Sequence, residues 1–156
     1  MDSVDKAFWI LPVLGFLDAV STLYVTSLGY HPKMLEVGFF ARLSGTSGLV
    51  YGFAVLYLLG LTALAYALWY VKGKWLDPRY SADKAVFLLL VMILCVLYVG
   101  VTAAFAGNLL LPYVADGSIS QMTLTLVLYS STAFSLGLYI WRDVVGWVRT
   151  EGDRKE

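Results

Sequence analysis

The chain has one cysteine and one histidine in 156 residues, and only 14% of it is charged. A lone Cys95 excludes an intrachain disulfide, a paired-thiol redox centre and a cysteine zinc cluster. With His31 alone, bis-histidine haem ligation within one chain is excluded as well. Bases and acids balance at eleven each and form no basic block, so nothing points to nucleic acid. The start lacks the signature of a cleavable signal peptide: Asp2 and Asp5 accompany the single Lys6, and the apolar stretch behind them exceeds an h-region. The first apolar segment is therefore expected to stay in the mature protein.

What the chain has in excess is apolar surface. Hydrophobic residues make up 60% of it and the mean hydropathy is +0.75, whereas soluble domains carry about a quarter of their residues as charges. The composition predicts an all-α membrane protein, a single integral domain built as a four-transmembrane-helix bundle. The expected spans cover about 7–28, 47–71, 85–106 and 121–140. Gly29-Tyr30-His31-Pro32-Lys33 breaks the first, Lys72-Gly73-Lys74 stops the second, and Gly107, Asn108 and Pro112 are read as ending the third. Between spans 1 and 2, the apolar stretch 34–43 is too short to cross a bilayer of about 30 Å, which predicts a short interfacial or re-entrant helix.

Charge orients the bundle. Lys6, four bases between spans 2 and 3 (Lys72, Lys74, Arg79, Lys84) and four after span 4 (Arg142, Arg149, Arg154, Lys155) put nine on one side, against Lys33 and Arg42 on the other. The positive-inside bias predicts a multi-pass protein of the cell membrane with both termini cytoplasmic. Trp9, Trp69, Trp75, Trp141 and Trp147 fall near span ends, where amphipathic rings prefer the interface. The bilayer is thus one partner. A second copy of the chain is another candidate, through the small-residue pairs Gly48/Gly52 or Ala133/Gly137, although the same spacing also serves packing within one chain.

Asp18 is the residue that asks for a function. Ten residues on either side, at 1.5 Å per residue, place Phe8 and Leu28 about 15 Å away, so the carboxylate falls near the middle of the membrane. A charge there costs on the order of 2.5–3.5 kcal/mol on insertion scales and marks an ion route, a proton relay, a metal site or a buried pair. At about 100° per residue, Gly15, Asp18, Thr22, Thr26 and Gly29 share a narrow arc, flanked by Ser21, so the acid belongs to a small, hydroxyl-bearing stripe. Just beyond lie Glu36 and Arg42, about 120° apart on a helix and so not partners of each other. The candidate ion, proton or polar site is therefore Asp18, Ser21, Thr22, Thr26, Glu36 and Arg42. Lys33 or Arg42 is a candidate base to neutralise Asp18.

Enzyme signatures are sparse. Cys-x-x-Cys, His-Glu-x-x-His and the paired aspartates of CDP-alcohol phosphotransferases are all missing. Gly45-Thr46-Ser47-Gly48 has the Gly-x-Ser-Gly form found around the nucleophile of rhomboid intramembrane proteases. Its base would have to be His31 in an upstream turn, whereas rhomboids supply it from a later span, so the segment reads as a small-residue helix start with Ser and Thr as caps. Asp18, His31 and Glu36 are the right types to ligate a metal, but their spacing matches no compact motif.

Leu17-Asp18-Ala19-Val20-Ser21-Thr22, followed by the Gly29 turn and Glu36, resembles a segment of small prokaryotic multi-span membrane proteins of uncharacterised function. These carry Asp-x-x-Thr-Thr in the first span and Glu-x-Asn-Pro shortly after. Here Val37-Gly38-Phe39 stands in place of the x-Asn-Pro. The resemblance covers the first third of the chain and implies that Asp18 and Glu36 belong to one site.

Three function classes follow. One is a channel or a proton- or cation-coupled transporter built around Asp18, with hydroxyls of the fourth span (Thr123, Thr125, Ser130, Ser131, Ser135) lining a polar path. Another is a non-catalytic accessory or assembly subunit with Asp18 in a structural ion pair. The third is a metal-assisted intramembrane enzyme using Asp18, Glu36 and His31, the weakest of the three because no complete catalytic set can be assembled. The only cofactor the residues invite is a cation.

Overall fold

A computed structural model of the chain describes residues 2–28, 47–115, 117 and 120–150. Nearly all of them lie in four helices: α1 (Ser3–Ser27), α2 (Ser47–Lys74), α3 (Ser81–Ala115) and α4 (Gln121–Arg149). No strand occurs among the described residues. Each helix contains a stretch long and apolar enough to cross a membrane, namely Ser3–Val25, Ala54–Lys74, Ser81–Leu111 and Met122–Arg149. Their outward faces are as greasy as their inward ones: Val13, Phe16 and Val20 on α1, Leu56 and Leu59 on α2, Met92 and Val96 on α3, and Phe134 and Leu138 on α4 are all exposed. Helices apolar all round are compatible with an apolar surrounding such as lipid.

Helix α1 is the hub. It packs against the other three, α2 leans on α1, and α4 leans on α3. Directions follow from the residue pairs. Asp18 meets Asn108, and Leu11 shares a buried cluster with Val101; both pairs are separated by the same interval, so α1 and α3 run parallel. Trp9 against Trp69 (centroids 6.0 Å apart) and Tyr57 against Asp18 make α1 and α2 antiparallel. Phe87 stacked on Trp147 at 4.1 Å, with Lys84 Nζ donating to the Thr150 carbonyl, makes α3 and α4 antiparallel.

On α1 the buried positions are Val4, Ala7, Phe8, Leu11, Gly15, Asp18, Ser21 and Val25. Their spacing of three and four is one helical face, so Asp18 is buried by the same phase that buries the apolar core. Val4, Ala7 and Phe8 join Leu68, Phe87, Leu90, Leu94 and Ile140 at the end of the bundle that carries the N-terminus. Leu11, Leu61 and Val101 form the next layer. Gly15 then lets α2 approach closely: a Cβ there would collide with Leu61 Cδ1 and lie 3.6 Å from the Tyr57 ring.

Several bounds differ from the sequence expectation. Span 3 does not end at residue 106, because α3 passes through Gly107, Asn108 and Pro112 to Ala115. A proline removes one intrahelical hydrogen bond, which spanning helices tolerate when neighbours restore the balance, and the Asn108 side chain is occupied across the helix interface instead of capping an end. Helix α1 begins at Ser3 and not at Ala7, α2 continues to Lys74, and α4 continues to Arg149, because ion pairs and hydrogen bonds hold those ends together. The expected short helix 34–43 lies outside the described residues.

Among the described residues, the small-residue positions Gly52, Ala133 and Gly137 do not form helix seams within this bundle: nothing lies within 4 Å of a Cβ built at Gly52 or Gly137, and Ala133 is exposed. Gly15, outside those motifs, does bring two helices together.

Candidate functional site

The polar centre of the bundle forms where α1, α2 and α3 meet. Asp18 is only 9% exposed, Ser21 and Asn108 only 4%. Asn108 Nδ2 lies 3.2 Å from Asp18 Oδ1, 3.1 Å from Ser21 Oγ and 2.8 Å from Thr22 Oγ1. An amide NH2 has two hydrogens for these three acceptors, so one hydrogen is shared between oxygens. The Tyr57 hydroxyl donates to Asp18 Oδ2 at 3.1 Å, and Ser21 Oγ donates back to the Asp18 carbonyl at 2.8 Å. Both oxygens of the carboxylate therefore accept from neutral donors. Such hydrogen bonds satisfy lone pairs that burial takes away from water.

Position along the helices sets the depth. Asp18 lies about 20 Å along α1 from Asp5 and about 13 Å from Ser27, inside the apolar stretch Ser3–Val25. About 9 Å from Asn108 along α3, a second polar feature opens between α3 and α4. This cleft of about 270 Å³ is lined by Tyr98, Thr102, Ser131, Thr132, Ser135 and Leu136. The Thr102 hydroxyl in its wall is buried and has no hydrogen-bond partner among the described residues. Ser131 and Ser135, expected to line a polar path, do face it.

Of the expected site residues, Asp18, Ser21 and Thr22 are brought together. Ser21, read as a flanking residue, is inside the cluster. Thr26 lies on α1 with its side chain outside the described set, and His31, Lys33, Glu36 and Arg42 lie outside the described residues. Among the described residues no three His, Cys, Asp or Glu side chains gather as metal ligands. Sequence reasoning missed Asn108 and Tyr57. Asn108 had a signal of its own, being an amide after more than twenty uncharged residues of the most apolar helix; Tyr57 had none, since tyrosine is common in these spans.

The opposite end of α1 is polar in another way. Lys72, itself only 9% exposed, is clamped between Asp2 Oδ2 at 2.6 Å and Asp5 Oδ1 at 2.7 Å. Asp143 of α4 accepts from both the amide and the hydroxyl of Ser3. In the turn between α2 and α3, Arg79 binds Asp77 through Nε and Nη2, and these hydrogen bonds hold the Asp77 carboxyl below its ordinary value.

No protein-family model, no curated protein and no solved structure matches this chain. The fold itself defines a class, an all-helical protein with four helices long and apolar enough to cross a membrane. The resemblance drawn from Asp18, Ser21, Thr22 and Glu36 rests on those residues alone.

Proposed function

We propose that this is a small membrane channel or proton- or cation-coupled transporter in which Asp18 takes up and releases the ion or proton. The observation that carries this reading is the cradle around the carboxylate: Tyr57 on one oxygen, Asn108 on the other, Ser21 and Thr22 beside them, from three helices. The oxygens gathered there, the Asp18 carboxylate and the Ser21 and Thr22 hydroxyls, are the hard ligands of protons and of alkali or alkaline-earth cations and not of soft metals. An acid buried within an apolar helix marks an ion route or a proton relay. The hydroxyl-lined cleft between α3 and α4 supports the same reading, because it extends polar surface along α3.

A specific observation favours one competing reading. The Asp18 cluster ties α1 to both α2 and α3, which is also what a structural staple of an accessory subunit would do. The two separate in proteoliposomes. Wild-type protein is expected to carry a proton or monovalent-cation flux, and Asp18→Asn is expected to abolish it while the protein stays monodisperse and helical. Wild-type vesicles no leakier than empty ones, or an Asp18→Asn variant that only melts earlier with flux unchanged, contradict the transport reading.

A further inference from the structure

At the N-terminal end, a cleft of about 520 Å³ opens between the start of α1 and the last third of α4, lined by Asp2, Ser3, Lys6, Leu138, Tyr139, Arg142 and Asp143. Its charges are not equally available. Asp2 is taken by Lys72 and by the Asp5 amide, and Asp143 by Ser3. The two bases are open. Lys6 is exposed and forms no ion pair among the described residues. The Arg142 side chain is 97% exposed, and its only ion-pair contact there is a loose 4.0 Å from Nε to Asp143 Oδ1.

The geometry points to a binding site for the headgroup phosphate of an anionic phospholipid, held by the Lys6 ammonium and the Arg142 guanidinium. Lys6 lies about 18 Å along α1 from Asp18. If Asp18 is near the middle of a core about 30 Å thick, Lys6 reaches the level of the phosphates. Arg142 reaches the same level, because its neighbour Asp143 is bonded to Ser3. A guanidinium fork and an ammonium on two facing helices are complementary to a phosphodiester, and basic pockets between spanning helices recognise such headgroups. Leu138 and Tyr139, both exposed on α4 immediately toward the membrane interior, offer an apolar wall to the glycerol and upper acyl chain. Free phosphate would use the two bases but not that wall, and the site is therefore assigned to lipid.

The test is lipid retention by the purified full chain, read by native mass spectrometry after equilibration with phosphatidylcholine micelles containing graded phosphatidylglycerol. Wild type is expected to retain phosphatidylglycerol over phosphatidylcholine. Lys6→Gln and Arg142→Gln are each expected to weaken retention about fivefold, the scale of one Lys or Arg against an anionic surface. Lys6→Arg should restore it. Lys74→Gln, an exposed base at the same end but outside the cleft, should change nothing. Equal loss from Lys74→Gln would mean diffuse charge attraction and overturn the site, as would no preference for the anionic lipid. Displacement by millimolar inorganic phosphate would overturn the assignment to lipid.

Discussion

Helix α1 carries acids in two places, and they are held in opposite ways. Near its start, Asp2 and Asp5 grip a cation, Lys72 of α2, with both contacts under 3 Å. About 20 Å further along, Asp18 is held by a hydroxyl and an amide that carry no charge. An ion triad is a lock: two acids share one base, and removing that base leaves them stranded. The Asp18 carboxylate, under the proposed function, is the group that exchanges an ion or proton. The comparison separates the part of α1 that fastens the bundle from the part to which the proposed function assigns exchange.

Breaking the lock should have the largest effect on stability. Lys72→Met leaves two acids facing each other without their base. The loss should be on the order of 2 kcal/mol, between the exposed and buried limits because both acids are partly solvated. A thermal midpoint in detergent that falls clearly below wild type checks this; an unchanged midpoint would mean the triad is ornamental.

Loosening the dipole cradle should cost less. Asn108→Ala removes three contacts to α1, and interhelical hydrogen bonds in membranes average about 0.6 kcal/mol. A loss of about 1–2 kcal/mol is expected, with Tyr57→Phe costing roughly one bond. Equilibrium unfolding in mixed micelles reads both. If Asn108→Ala were the more damaging of the two replacements, Asn108→Ala or Lys72→Met, the division between fastening end and acting end would fail.

The smallest effect is expected in the turn, where a half-buried Asp77 pairs with an exposed Arg79. Its carboxyl is held below the ordinary value chiefly by the Arg79 hydrogen bonds. A depressed folded-state pKa contributes stability above the unfolded pKa of about 3.9 and loses it as pH falls through the folded one. Solvent screening leaves this contribution slight. Asp77→Asn should therefore shift the midpoint barely at neutral pH, and the small difference from wild type should vanish once pH falls below the folded-state pKa. A large shift at pH 7 would show that the turn organises more than itself.

Much of this was legible in the sequence. The four long helices were written in runs of apolar residues, the basic end in Lys6, Lys72, Lys74 and Arg142, and the buried polar cluster in Asp18, because each depends on composition within one segment. What escaped depends on pairing between segments. Asn108 was read as a helix terminator because Gly107 and Pro112 flank it, yet bonds to Asp18, Ser21 and Thr22 outweigh those local signals. Lys72 was read as a stop signal for span 2, and it is buried because two acids from the chain start reach it. Gly15 looked like one small residue in a stripe; its role as the contact point for α2 depends on Leu61 and Tyr57, far along the chain.

The central claim is that the two ends of α1 divide fastening from exchange. It is tested most directly by measuring proton- and cation-driven flux in proteoliposomes alongside the melting midpoint for Asp18→Asn and Lys72→Met. Asp18→Asn is predicted to bring flux to the level of empty vesicles with a midpoint near wild type, and Lys72→Met to lower the midpoint while folded protein still conducts. Wild-type flux through Asp18→Asn would contradict the account.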